Sequence, residues 1–195
     1  MSTRLRRNAR RSIRTLLTGV ALATLLSVTS ATAAVSAPPR AVRAGEGPVT
    51  ILADQYYEIR SQLTQRCLDV EGAGNGDGVP VIVANCWGGA HQKWRLFNVG
   101  NGYYELHPLN SQRCLDVAGS GLDQGAPAMQ WGCWGGAKQH WRLADAGNGY
   151  YEIRNQLTQR CLDITGDGLG NPARAMIWDC WGGAKQHWRL APIPA

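Results

Sequence analysis

The chain has 195 residues, 24 of them Gly, with 6 Cys, 8 Trp and 17% charged residues, a make-up that excludes a long coiled coil or a charged disordered tail. The net charge of +6 is all at the front. Arg4, Arg6, Arg7, Arg10, Arg11 and Arg14 precede Ala34 without an acid among them, which leaves 14 basic residues to balance 14 acidic ones. The remainder is formally neutral and lacks the phosphate-neutralising excess of a nucleic-acid binder.

In chain order, the first element is a basic stretch to Arg14, an apolar run from Leu16 to Val28 and small residues at Ala31-Thr32-Ala33-Ala34. This pattern predicts a secretory signal peptide over 1–34, cleaved near Ala33 or Ala34, and hence an extracellular protein with no stable membrane insertion afterwards. The apolar run is short for a membrane anchor, which needs about 20 residues. Residues 35–52 are rich in Ala, Pro and Gly without hydrophobic periodicity and are expected to be a flexible leader to a domain over 53–195.

The domain is three copies of one unit. Tyr57, Tyr104 and Tyr151 open similar segments at a spacing of 47 residues, and the same spacing separates Cys67, Cys114 and Cys161, then Cys86, Cys133 and Cys180, then Trp94, Trp141 and Trp188. Each unit carries four short apolar runs between Gly-rich stretches, which predicts twelve strands in all. Asn101-Gly102 and Asn148-Gly149 fall between units, where a tight hairpin turn requires positive φ. A unit this small cannot bury its own apolar face, so the three are expected to share one core containing Trp94, Trp141 and Trp188. The fold class is all-β. Closure would remove exposed strand edges, although periodicity leaves a three-bladed or sandwich arrangement open.

Six cysteines behind an export signal predict three disulfides. Two sets respect the repeat. Local bridges, Cys67 to Cys86, Cys114 to Cys133 and Cys161 to Cys180, close loops of about 20 residues, each worth about 3 kcal/mol in the chain-entropy account. The other set ties each second Cys to the first Cys of the next unit. The local set is the expected one. No metal or other cofactor is expected, because the cysteines lack close Cys-x-x-Cys spacing and oxidation competes with ligation.

Cys67-Leu68-Asp69, Cys114-Leu115-Asp116 and Cys161-Leu162-Asp163, each followed by an apolar run ending in Cys and then by Gln92-Lys93-Trp94, Gln139-His140-Trp141 or Gln186-His187-Trp188, resemble the ricin B-type β-trefoil lectins and related carbohydrate-binding modules. The resemblance spans about Tyr56 to Leu190. It implies a β-trefoil, with six strands in a barrel and six in a hairpin cap, and up to one shallow sugar pocket per unit. It further implies that Asp69, Asp116 and Asp163 accept hydroxyl hydrogen bonds, that Gln92, Gln139 and Gln186 orient those carboxylates and touch ligand, and that the stacking platform lies two residues before the second Cys.

A sugar offers hydroxyls at its rim and C–H groups on its face, so a pocket needs both an acceptor and a ring. The platform is Trp131 in the second unit and Trp178 in the third, but Ala84 in the first. The first pocket, with Asp69 and Gln92, is therefore expected to be weak or silent. A core role for Trp131 and Trp178 is disfavoured because Ala84 would then leave a cavity. Where the family commonly has Asn before the Gln, this chain has His91, Lys138 and Lys185; the two lysines are assigned to the pockets, either donating to a hydroxyl or attracting an acidic sugar, with plain solvent exposure as the alternative. Trp134 and Trp181, directly after the second Cys, are assigned as a second wall, although their recurrence with Trp87 equally suits packing over the disulfide.

The acids recur with the fold rather than forming one unique pair, as glycoside hydrolysis requires, and no nucleophile motif is present, so the chain is read as a non-enzyme. The expected function is carbohydrate binding, to galactose-type sugars or a polysaccharide such as xylan, through two pockets able to cross-link glycans. The competing class is a secreted β-trefoil that binds protein, such as a protease inhibitor or toxin component.

Overall fold

In a computed structural model the described residues are 50–52 and 54–194. The expected signal peptide and most of the expected leader lie outside them. Twelve strands follow in three groups of four: β1 (Tyr56–Ser61), β2 (Cys67–Val70), β3 (Val81–Ala84), β4 (Lys93–Gly100); β5 (Tyr103–Pro108), β6 (Cys114–Val117), β7 (Ala128–Trp131), β8 (Trp141–Gly147); β9 (Tyr150–Asn155), β10 (Cys161–Ile164), β11 (Ala173–Trp178), β12 (His187–Pro192).

The first and last strands of each group form a ring. β1 pairs with β4 and β12, β12 with β9, β9 with β8, β8 with β5, and β5 with β4, all antiparallel. A closed six-stranded barrel leaves no free edge, and this closure excludes the three-bladed and sandwich alternatives. The middle strands make three hairpins, β2–β3, β6–β7 and β10–β11, which cap the barrel. Short contacts link the hairpins in turn: Pro80 with Met129, Pro127 with Met176, and Arg174 with Ile82. These positions are related by the 47-residue spacing, so the cap shares the barrel's threefold repeat. The fold is a β-trefoil.

Residue choice explains the elements. β1 alternates strictly, with Tyr57, Ile59 and Ser61 turned inward. Asn101 (φ 53°) with Gly102 (φ 77°), and Asn148 (φ 54°) with Gly149 (φ 75°), make the two turns that join units, as their composition requires. Trp94, Trp141 and Trp188 are fully buried, and each indole N–H donates to a cap-strand carbonyl, of Leu68, Leu115 and Leu162, at 2.9, 2.9 and 3.0 Å. Each thereby fills the shared core while satisfying its only polar atom, and ties barrel to cap.

The cysteines form the local set: Cys67–Cys86, Cys114–Cys133 and Cys161–Cys180, with Cα separations of 5.2, 5.1 and 5.2 Å. Each bridge staples the start of the second strand of a unit to the loop beyond the third. That junction carries the candidate site.

Candidate functional site

Strand alternation builds the pockets. In the β6–β7 hairpin Cys114 faces Trp131 and Asp116 faces Met129, so these four side chains share the outer face, while Leu115, Val117, Ala128 and Gln130 face inward. The outer face, with the loop after Cys133, encloses a cavity of about 350 Å3 lined by Asp116, Gly119, Met129, Trp131, Trp134 and Lys138. The equivalent hairpin of the third unit encloses about 570 Å3 lined by Asp163, Gly166, Met176, Trp178, Trp181 and Lys185. Both cavities are open clefts between two indoles with a carboxylate at the base. Trp131 and Trp178 are 41% and 38% exposed, in contrast to the buried tryptophans of the core.

The aspartates of these two pockets are each held by three donors. Asp116 Oδ1 accepts from the Val117 backbone N–H at 2.6 Å, and its Oδ2 accepts from Gln139 Nε2 at 2.8 Å and Trp134 Nε1 at 3.2 Å. Asp163 repeats this with Ile164, Gln186 and Trp181 at 2.6, 2.8 and 3.1 Å. Gln139 and Gln186 are fully buried behind their aspartates, with the amide oxygen accepting from the backbone N–H of Trp134 or Trp181 at 2.8 Å and the amide nitrogen also donating to the carbonyl of Gly132 or Asp179. Both polar ends are thus occupied by protein. The glutamines orient the carboxylate and the following loop.

The lysines lean across the pocket rather than into solvent. Lys138 Nζ donates to the carbonyls of Gly119 and Val117 at 2.9 and 3.2 Å and lies 3.8 Å from Asp116 Oδ1; Lys185 makes the same contacts with Gly166, Ile164 and Asp163. Their aliphatic stems cross Gly121 and Gly168, where an added Cβ would come within 2.7 and 3.1 Å of the lysine Cδ. Each lysine pins the pocket loop and offsets the aspartate charge.

The platform of each pocket rests on the preceding unit. An added Cβ on Gly78 would lie 3.6 Å from Trp131, and one on Gly125 would lie 3.2 Å from Trp178. The position equivalent to these glycines in the third unit is Pro172, and it serves the unit whose platform residue is Ala84. Loss of the ring and loss of its glycine support therefore coincide.

The first unit is filled differently. His91 takes the lysine's place and is buried, with Nε2 3.4 Å from Asp69 Oδ1 and its ring 4.6 Å from that of Trp87. Asp69 Oδ2 accepts from Gln92 Nε2 at 2.7 Å, while Oδ1 is buried without a hydrogen-bond donor. Burial pushes the Asp69 carboxyl above its ordinary range, opposed by the Gln92 bond and the nearby His91 charge.

Sequence reasoning missed Met129 and Met176, which two-residue alternation from the platform tryptophans would have found. It also missed Gly78 and Gly125, whose contacts cross between units and leave no local pattern. Glu105, His107, Cys114 and Cys133 converge, but both sulfurs are in a disulfide, so only a carboxylate and an imidazole remain and the group does not fit a metal ion.

Residues 55–190 match the ricin-type β-trefoil lectin domain. The chain belongs to that family. Among solved structures it is similar to the designed threefold-symmetric protein ThreeFoil, at 36% identity and a TM-score of 0.69, over 71% of this chain and 99% of that one. It is also similar to the exo-β-1,3-galactanase 1,3Gal43A of Clostridium thermocellum, at 28% identity and a TM-score of 0.67, over 74% of this chain but only 31% of the galactanase. The ricin B-like lectin of Macrolepiota procera, solved with lactose, shares the fold at 20% identity and a TM-score of 0.63, over 73% of this chain and 99% of that lectin. No curated protein matches the chain. Membership in a lectin family supports carbohydrate binding as the general role.

Proposed function

We propose that this ricin-type trefoil is a secreted, non-enzymatic lectin that binds galactose-type sugars or a polysaccharide such as xylan at two pockets, those of Asp116 and Asp163. One observation carries the reading. In the second and third units an exposed indole and a buried, fully oriented carboxylate line one open cleft, whereas the first unit has Ala84 and a histidine in the corresponding places. An apolar ring beside a fixed acceptor is the complement of a sugar face and its rim hydroxyls.

The export signal and the three disulfides support an extracellular site of action. The three aspartates recur with the fold instead of forming one unique pair, which supports binding over acid–base catalysis. The galactanase likeness supports a galactan among the polysaccharides worth testing, since the chain matches about a third of that enzyme.

The test is a glycan array with the oxidised protein beside a folded Trp131→Ala, Trp178→Ala variant. A defined set of bound glycans, lost in the variant, is the expected result. Binding retained by the variant would place the site elsewhere, and a folded parent that binds no glycan would favour a protein partner instead.

A further inference from the structure

Each pocket aspartate is only 1% exposed although it lines an open cleft. The tryptophan after the second cysteine covers it from one side and the lysine from the other. Trp134 and Trp181 lay an indole N–H on Asp116 Oδ2 and Asp163 Oδ2 at 3.2 and 3.1 Å, occupying the position at which a sugar hydroxyl would donate. With the backbone N–H on Oδ1 and the glutamine amide on Oδ2 already in place, the indole completes Oδ2, and the acceptor site left on Oδ1 lies toward the lysine, 3.8 Å away in the second unit and 3.7 Å in the third.

The indoles themselves are lightly held. They are 57% and 56% exposed; besides the bond to aspartate they lie against the second glycine of the Trp-Gly-Gly segment, and the Lys185 ammonium stands 6.0 Å from the centre of the Trp181 ring. A Cβ on Gly136 or Gly183 would lie 1.7 Å from the ring, so only glycine lets the indole lie flat over the carboxylate. The preceding residue, Gly135 or Gly182, has φ of 72° or 73°, a conformation that glycine adopts without strain. The first unit shows that the same segment accepts another ring position: Trp87 packs against His91 at 4.6 Å, and no indole bond reaches Asp69.

We infer that Trp134 and Trp181 determine which ligands bind, each indole N–H standing in for a hydroxyl on its aspartate in the free protein and swinging away on its Gly-Gly pair when sugar enters. The inference rests on the carbohydrate reading. A ligand gains only what its hydroxyls contribute beyond the indole bond they replace, so a sugar that lacks a donor at the Oδ2-facing position is expected to bind on the order of tenfold or more weakly. The tryptophan thus converts a shallow site into one that rejects deoxygenated and O-methylated analogues.

The experiment follows indole Nε1–H exchange with water by NMR in the full disulfide-bonded protein, alone and with galactose or with xylotriose. Expected is protection of the Trp134 and Trp181 N–H groups in the free protein, lost on saturation with whichever sugar shifts the Trp131 and Trp178 signals. Trp134→Phe with Trp181→Phe keeps the rings and removes the N–H groups, and is expected to bind that sugar on the order of tenfold more tightly. Protection that survives saturation, or a phenylalanine variant that binds no better than the parent, overturns the inference while leaving the carbohydrate reading intact. Silence of Trp131 and Trp178 with both sugars defeats the reading for these sugars, and the inference with it. As a control without sugar, Gly136→Ala with Gly183→Ala is expected to expose both N–H groups to exchange, and unchanged protection would likewise count against the role given to the glycines.

Discussion

At the scale of single residues, identical positions in the three units hold different chemistry, and Asp69 shows what a buried carboxyl with too few donors costs. Its carboxyl is buried with one oxygen lacking a donor, and burial raises its pKa above the ordinary value of 3.8. The folded state then holds the proton more tightly than the unfolded chain. Stability falls as pH rises from 3.8 through the folded value, and the loss persists at neutral pH. Asp69→Asn removes that loss, so it is expected to unfold at higher urea than the parent at pH 7, with the advantage gone below pH 3.8. Equal midpoints at pH 7 would contradict the assignment. Trp94 is the opposite case, since its volume and its bond to the Leu68 carbonyl are both needed. Trp94→Ala is expected to lower stability by about 3–5 kcal/mol in denaturant unfolding, far more than an exposed tryptophan would.

At the scale of strands and loops, each pocket is made by one hairpin and finished by its neighbour. Gly125 lies beneath Trp178 at φ 85°, where an added Cβ would sit 3.2 Å from the ring. Gly125→Ala is expected to cost about 1–2 kcal/mol of backbone strain and to weaken the third-unit pocket while sparing the second, as separate titrations of the Trp178 and Trp131 signals would show. The repeat, the turns at Asn101-Gly102 and Asn148-Gly149, and the buried set around Trp94, Trp141 and Trp188 were legible in the sequence, because strand alternation and turn chemistry are local. Barrel closure was legible only through the resemblance to the β-trefoil lectins, since periodicity does not say that β1 pairs with β12. In the site, the aspartates and exposed tryptophans were legible through the family resemblance carried by the repeated Cys-Leu-Asp and Gln-x-Trp motifs. The glutamine amides turned wholly to protein, the lysines clamped on loop carbonyls and the glycine supports were not, because each depends on contacts between segments that no short motif records.

At the scale of the molecule, three units share one core but only two keep the parts of a pocket. With sugar bound at both proposed pockets, one rigid body would favour multivalent glycans, because the second contact would be made at high effective concentration. Trp178→Ala alone is expected to leave affinity for free monosaccharide at the second-unit pocket unchanged while weakening binding to a glycan-coated surface by on the order of 100-fold. The account turns on the number of working pockets. Calorimetric titration of the oxidised protein with the sugar identified on the array measures that number, and the expected stoichiometry is two per chain, falling to one in Trp131→Ala and to one in Trp178→Ala. A stoichiometry of three, or one that either variant leaves unchanged, would contradict the assignment of binding to the Asp116 and Asp163 pockets.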